Sequence, residues 1–85
     1  MRSLEFDPSA FEDLAWWVEV DRKKALRVLK LIKEVQREPF VGIGKPEPLK
    51  HEFAGCWSRR IDDEHRLVYQ VFESKIRILS CKYHY

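Results

Sequence analysis

The hydrophobic period of the chain changes once, and this change limits the folds open to it. In residues 8–38 apolar side chains recur every three or four positions, which predicts two amphipathic helices. From residue 57 to residue 79 apolar and polar side chains alternate, which predicts three short strands. The connections 62–65 and 73–75 are short and polar, so consecutive strands should pair antiparallel. With an opening strand around Leu4 and Phe6, we expect an α+β fold: an N-terminal strand, two helices, then a three-stranded antiparallel meander, with the helices packed on one face of the sheet.

Local signals set the expected helix boundaries. Asp7 followed by Pro8 is typical of a helix start, because proline lacks the N–H that would go unpaired there and aspartate can accept a free amide. Asp21 can cap the second helix, and Pro39 should end that helix near Glu38. The predicted buried faces consist of Phe11, Leu14, Ala15 and Val18 in the first helix and of Ala25, Val28, Leu29, Ile32 and Val35 in the second.

The remaining composition points to one small domain spanning residues 1–85. Residues 39–48 hold two of the three glycines and three of the four prolines, which predicts an irregular but stiff loop. No apolar stretch approaches the roughly 18 residues of a membrane span, and the N-terminus lacks a signal-peptide pattern, so we expect a soluble cytoplasmic protein. Cys56 and Cys81 stand far apart without metal-ligand spacing, and we predict neither a metal site nor a cofactor.

The net charge of +2 conceals an uneven distribution along the chain. Residues 1–21 carry one base and six acids, a net charge of −5, whereas the rest carries fifteen bases and eight acids, a net charge of +7. A basic surface of this kind would suit a phosphate backbone. The alternative, that these are ordinary solvated charges, stays open from composition alone.

Three residues could together cleave RNA without a metal. Such cleavage needs a base for the 2′-OH, a cation for the charge that grows on the phosphate, and an acid for the departing 5′-oxygen. Glu47 in the stiff loop, Arg66 at a strand start and His84 beside the C-terminal Tyr85 supply these groups in that order. Spacing in the sequence does not establish that they converge. His65, in a turn, is assigned no catalytic part.

Longer motifs resemble the YoeB (Txe) family of bacterial toxins in the RelE/ParE superfamily. The resemblance runs almost continuously over residues 39–85. The motifs that carry it are Gly44-Lys45-Pro46-Glu47-Pro48-Leu49-Lys50-His51, Gly55-Cys56-Trp57-Ser58-Arg59-Arg60-Ile61, Glu64-His65-Arg66-Leu67-Val68-Tyr69 and Cys81-Lys82-Tyr83-His84-Tyr85.

The resemblance implies a RelE-like microbial RNase fold and a toxin that cuts mRNA in the A site of the 70S ribosome. It implies that Glu47 is the general base, Arg66 the transition-state arginine and His84 the general acid. It places further residues near RNA: Lys50, His51, Arg59, Arg60 and Tyr85. The implied partners are an antitoxin of the YefM/Phd type, operator DNA only through the toxin–antitoxin complex, and a second toxin copy.

Three alternatives remain beside this interpretation. The chain could be a non-catalytic inhibitor of a protein target, as in the ParE branch of the same superfamily, or a basic RNA-binding module without cleavage. Arg59 and Arg60 could also serve only to keep an edge strand from aggregating.

Overall fold

The protein folds as a mixed sheet backed by two helices. The computed structural model describes residues 1–83 apart from the side chain of Glu52. The predictions for His84 and Tyr85 therefore lie outside the described residues. The helices are α1 (Pro8–Val20) and α2 (Arg22–Arg37), and the strands are β1 (Ser3–Phe6), β2 (Glu47–Pro48), β3 (Cys56–Arg60), β4 (Arg66–Val71) and β5 (Lys75–Ser80). A single 3-10 turn, His51–Phe53, lies between β2 and β3.

The sheet confirms the predicted α+β class and the order of its main elements. Its strands lie in the order β1-β5-β4-β3-β2, with β1 parallel to β5 and every other pair antiparallel. Strand β2 was not predicted, because two residues ending in a proline carry no periodic signal. It extends the sheet inside the loop, where Glu47 pairs with Ser58 and the Leu49 amide donates to the Cys56 carbonyl at 2.9 Å.

The core lies between the helices and one face of the sheet. In α2 the prediction holds for four of five positions, whereas Leu29 is 39% exposed and Leu31 is buried in its place. The fully or nearly buried apolar residues that form this core are Ala10, Trp17, Ala25, Val28, Leu31, Ile32, Val35, Ile61, Leu67, Tyr69, Ile76, Ile78 and Cys81.

The predicted inner face of α1 is correct for Leu14, which packs against the core, and wrong for Phe11, Ala15 and Val18. Phe11 and Val18 are 63% and 57% exposed, whereas Ala10 and Trp17 are buried. The small Ala10 side chain lets the helix approach β5 closely, and the Trp17 indole finds a buried acceptor, the Cys81 carbonyl, at 2.6 Å. A polar anchor therefore decides which side of α1 faces inward, and apolar periodicity does not report it.

The two helix starts differ in their caps. Pro8 occupies the first turn of α1 as predicted, but the Asp7 carboxylate accepts from the Ser9 hydroxyl and from no amide of the helix. Asp21 does cap α2, accepting from the Lys24 amide at 3.2 Å. Within residues 1–83, neither helix is long and apolar enough to cross a membrane.

Candidate active site

The sheet face turned away from the helices carries the candidate residues. Side chains alternate between the two faces of a strand, and directly paired residues share a face. Glu47 pairs with Ser58, and Arg60 pairs with Arg66, so these four residues share the face opposite to that of Leu67 and the core. The alternation that defined the strands thus also sorts catalytic candidates from core residues.

Glu47 and Arg66 meet on this face. The Arg66 Nη1 atom lies 3.0 Å from the Glu47 Oε1 atom and 3.4 Å from the Ser58 hydroxyl. The Arg66 side chain is 19% exposed and that of Glu47 53%, so the pair is open to a ligand on one side. Such a half-exposed pair adds only about 0–1 kcal/mol to stability. Its chemical consequence is larger, because a proton acceptor and a bidentate phosphate donor share one small surface.

The loop before Glu47 is held by a buried arginine. Arg59 has no solvent-exposed surface. Its guanidinium donates to four oxygens: the carbonyls of Glu38, Val41 and Ile43 and the hydroxyl of Tyr69, at distances of 2.5–3.2 Å. The expectation that Arg59 lies near RNA is corrected here, since every donor group of the side chain points into the protein. The same contacts exclude the idea that Arg59 is a charge exposed on an edge strand.

Tyr69 and Gly44 complete the attachment of this loop. The Tyr69 hydroxyl donates to the Pro39 carbonyl at 2.6 Å, and burial raises the pKa of this phenol, although the neighbouring Arg59 opposes the rise. Gly44 has a φ of +83°, and a Cβ there would lie 2.9 Å from a methyl group of Leu31. Its carbonyl accepts from the Arg60 amide at 2.7 Å. The stiffness expected from prolines therefore comes largely from hydrogen bonds to β3 and β4.

Lys50, His51 and Arg60 occupy accessible positions near this loop. Lys50 and His51 are exposed where β2 passes into the 3-10 turn, and His51 has a left-handed backbone with a φ of 60°. Arg60 is half-buried, and its guanidinium bonds to the Asp63 carboxylate at 2.9 Å. Unlike Arg59, these three side chains are placed where a polyanion could reach them.

The segment that leads to His84 is fixed by residues that the sequence interpretation did not assign to the site. The Cys81 amide donates to the Asp13 carboxylate at 3.1 Å, and the Cys81 carbonyl accepts from Trp17. The Tyr83 amide donates to Nδ1 of His65 at 2.6 Å. No periodic signal marks these contacts; the adjacency of His65 to Arg66 was the one available hint.

The thiols do not take part in this arrangement. Burial, with a smaller contribution from Asp13, raises the pKa of the Cys81 thiol to about 12. Burial also raises the pKa of the Cys56 thiol. A thiol that stays protonated is a poor nucleophile and a poor metal ligand. Among the described residues no three His, Cys, Asp or Glu side chains form a group that could hold a metal ion.

Comparison with known proteins assigns the chain to a family. Residues 6–85 match the model of the YoeB-like toxins of bacterial type II toxin–antitoxin systems. The chain is 58% identical to Toxin YoeB of Mycobacterium bovis over 85 residues, the full length of both chains. The structure superposes on that of the YoeB dimer from Staphylococcus aureus with a TM-score of 0.90 and 46% identity, covering 99% of this chain and 98% of that one. For the YoeB–YefM complex of the same organism the TM-score is 0.88 at 44% identity, with 100% and 99% coverage.

Proposed function

The chain belongs to the YoeB-like toxins of bacterial type II toxin–antitoxin systems, and from that premise we propose that it is a ribosome-dependent endoribonuclease. It cuts mRNA codons in the ribosomal A site and thereby inhibits translation. The observation that carries the proposal is the 3.0 Å pair of Glu47 and Arg66 on the sheet face turned away from the helices. A carboxylate and a guanidinium so placed are the base and the phosphate clamp that metal-independent cleavage needs.

The reaction transfers a phosphoryl group within the RNA, from the 5′-oxygen of the next nucleotide to the neighbouring 2′-oxygen. Glu47 accepts the proton of the 2′-OH, and the 2′-oxygen attacks the adjacent phosphorus. Arg66 stabilises the extra negative charge on the non-bridging oxygens. The bond from phosphorus to the 5′-oxygen breaks, and His84 donates the proton that this oxygen takes up. The products are a 2′,3′-cyclic phosphate, or the 3′-phosphate after its hydrolysis, and a free 5′-OH.

The accessible cations beside the pair bind the RNA. Lys50, His51 and Arg60 contact phosphates or bases, and Tyr85 helps to place the codon. Arg59 is left out of this set because its guanidinium is buried. A phosphate that enters the site competes with Glu47 for Arg66, which frees the carboxylate to accept a proton.

Membership of the YoeB-like toxin family also suggests the partners of this chain. The Staphylococcus aureus relatives were solved as a YoeB dimer and as a YoeB–YefM complex. We extend both to this chain: a YefM/Phd-type antitoxin neutralises it, the toxin–antitoxin complex binds operator DNA, and two toxin copies can associate. The ribosomal substrate places the activity in the cytoplasm.

The test is cleavage of a defined transcript on purified ribosomes, with the 3′ ends mapped after the protein is added. Wild-type protein should cut within the A-site codon, whereas Glu47→Ala and His84→Gln should each lose about 10²–10⁴-fold in rate. Glu34→Gln is the matched control, because Glu34 forms a similarly short pair, 2.9 Å long, with Arg37 within α2, and neither residue belongs to the proposed site. Intact RNA with the wild type, or equal cutting by the variants, would contradict the proposal.

Two rival functions make different predictions in the same experiment. A non-catalytic inhibitor of a protein target, as in the ParE branch, leaves the transcript uncut. A basic RNA-binding module protects the A-site codon and does so equally well with His84→Gln.

A further inference from the structure

The chain between β5 and His84 is held by hydrogen bonds at every backbone polar group of Cys81 and Tyr83. Cys81 is held by α1, its amide by Asp13 and its carbonyl by Trp17. Tyr83 is held by the start of β4, its amide by the His65 ring and its carbonyl by the Arg66 amide at 3.2 Å. Backbone N–H and C=O groups are normally all paired inside a sheet. Cys81 and Tyr83 lie beyond the last strand residue, Ser80, where such complete pairing is unusual.

Burial of Tyr83 does not explain this arrangement. Its side chain is 54% exposed, and the described contacts of its ring are with the His65 ring, 5.3 Å away between centroids, and with the Lys82 ammonium, 5.0 Å from its centroid. Its backbone has a φ of 63°, a left-handed conformation that costs a residue other than glycine about 1–3 kcal/mol. The contacts to His65 and Arg66 therefore maintain a backbone direction that the segment would not adopt alone.

His65 is built to serve as the acceptor. Its side chain is 8% exposed, and its ring lies edge to face on Trp17, with centroids 4.8 Å apart. Its backbone amide donates to the Asp62 carboxylate at 2.7 Å, and Asp62 is in turn paired with Lys24 of α2 at 3.1 Å. Because an amide donates to Nδ1, that nitrogen carries no proton, and the neutral ring has its proton on Nε2, which lies 3.6 Å from the Glu64 carboxylate.

We propose that His65 is a positioning residue that fixes Tyr83 and so sets the direction from which the chain continues to His84. The proposal rests on the proposed function, in which His84 is the acid. His65 and Arg66 are consecutive, so a single dipeptide pairs with Glu47 on one side and fixes the backbone before His84 on the other. The Glu47–Arg66 pair and the backbone of Tyr83 thereby depend on the same two consecutive residues.

The test compares two variants that separate the acceptor from the ring. His65→Phe keeps an aromatic ring against Trp17 but cannot accept from Tyr83, whereas the Oδ1 atom of His65→Asn can take the place of Nδ1. On programmed ribosomes His65→Phe should lower kcat by about 10²-fold with little change in KM, because misplacement of a reacting group by about 1 Å costs that much. His65→Asn should recover most of kcat.

Two controls exclude a general loss of stability. Ile76→Val removes a buried methyl group from β5 and should destabilise the fold without lowering kcat. Glu64→Gln changes the carboxylate that lies 3.6 Å from Nε2 and should behave as the wild type. Wild-type kcat in His65→Phe, or equal losses in the Phe and Asn variants, would overturn the proposal.

A second measurement does not depend on cleavage. Amide exchange of Tyr83, followed by NMR, should be slow in the wild type and in His65→Asn and fast in His65→Phe. If wild-type protein leaves the transcript intact, the proposed function fails, but this exchange pattern still supports the hold of His65 on Tyr83. Equal exchange rates in all three proteins would overturn that hold, whatever the cleavage result.

Discussion

Replacing Arg59 by lysine should unfold the domain far more readily, although the positive charge is kept. The guanidinium donates to three loop carbonyls and to Tyr69. A lysine ammonium is a single tetrahedral centre without an Nε donor, and it cannot reach acceptors spread around a planar fork. Arg59→Lys therefore leaves buried acceptors unpaired and a buried charge only partly compensated.

The magnitude follows from the number and type of bonds. A hydrogen bond from a charged donor contributes about 1.5–3 kcal/mol, which gives an upper limit of roughly 6–12 kcal/mol for four such bonds. Burial of the charge offsets several kcal/mol of this, and breaking a buried charged network typically costs about 3–5 kcal/mol. An 85-residue domain has roughly 4–13 kcal/mol of total stability, so the loss is a large fraction of it.

Urea unfolding at pH 7, followed by tryptophan fluorescence, measures this loss. Arg60→Lys is the matched control: Arg60 is the next residue, half-buried, and bonds to the exposed Asp63, so its replacement should cost about 0–1 kcal/mol. A difference between the two variants of less than 1 kcal/mol would refute the reasoning. A loss of RNA cleavage in Arg59→Lys at unchanged stability would instead restore Arg59 to the RNA-binding set.

Three further predictions test other parts of the structure. Partial burial raises the pKa of Asp62, but hydrogen bonds from two backbone amides and from Lys24 outweigh it and lower that pKa below the usual value. Asp62→Ala should therefore lower the free energy of unfolding by about 1–2 kcal/mol at pH 7. This difference from the wild type should shrink as the pH falls through the lowered pKa of Asp62 in the folded protein. A difference that stays constant down to pH 3 contradicts the prediction. Cys81, buried and with a pKa of about 12, should resist alkylation at pH 8 until denaturant is added, and rapid labelling of native protein would show that the segment opens. Gly44→Ala should destabilise more than Gly55→Ala in urea unfolding, since both have positive φ but only Gly44 has neighbours within 4 Å of a new Cβ; equal losses would assign the whole effect to backbone strain.

Hydrophobic period was sufficient to predict the main elements of the fold. The helices and the meander follow from local pattern because their side chains pack against a single core. The errors occur where a polar contact decides the orientation. Trp17 faces inward because its indole donates to a carbonyl 64 residues away, and no local window contains that acceptor. Leu29 and Leu31 border the apolar stripe of α2 on opposite sides, and the packing of the helix buries Leu31 and leaves Leu29 39% exposed.

The candidate site, like the fold, could be predicted from the sequence only in part. Glu47 and Arg66 were named from the sequence, and the structure brings them together through the pairing of β2 with β3 and of β3 with β4. Arg59 and Arg60 are adjacent in the sequence and chemically identical, yet alternation along β3 sends them to opposite faces. Residue type and motif therefore predicted a basic surface, and only the strand register could show which arginine belongs to it.

Two buried side chains, Arg59 and His65, hold the backbone near the groups proposed for catalysis, and their effects on stability and activity should differ measurably. Arg66 lies in a central strand, whereas Glu47 lies in a two-residue edge strand after a long loop, and Lys82 and Tyr83, just before His84, lie outside the core. Hydrogen bonds between side chains and the backbone replace core packing there: those of Arg59 hold the loop, and that of His65 holds Tyr83. Arg59 is central and fully buried, so its loss should lower global stability and activity together. His65 fixes the exposed Tyr83, and His65→Phe, which keeps an aromatic ring against Trp17, should lower activity with little change in global stability. If activity falls in fixed proportion to stability in both variants, the two supports are not distinct and His65 is only one more stabilising contact.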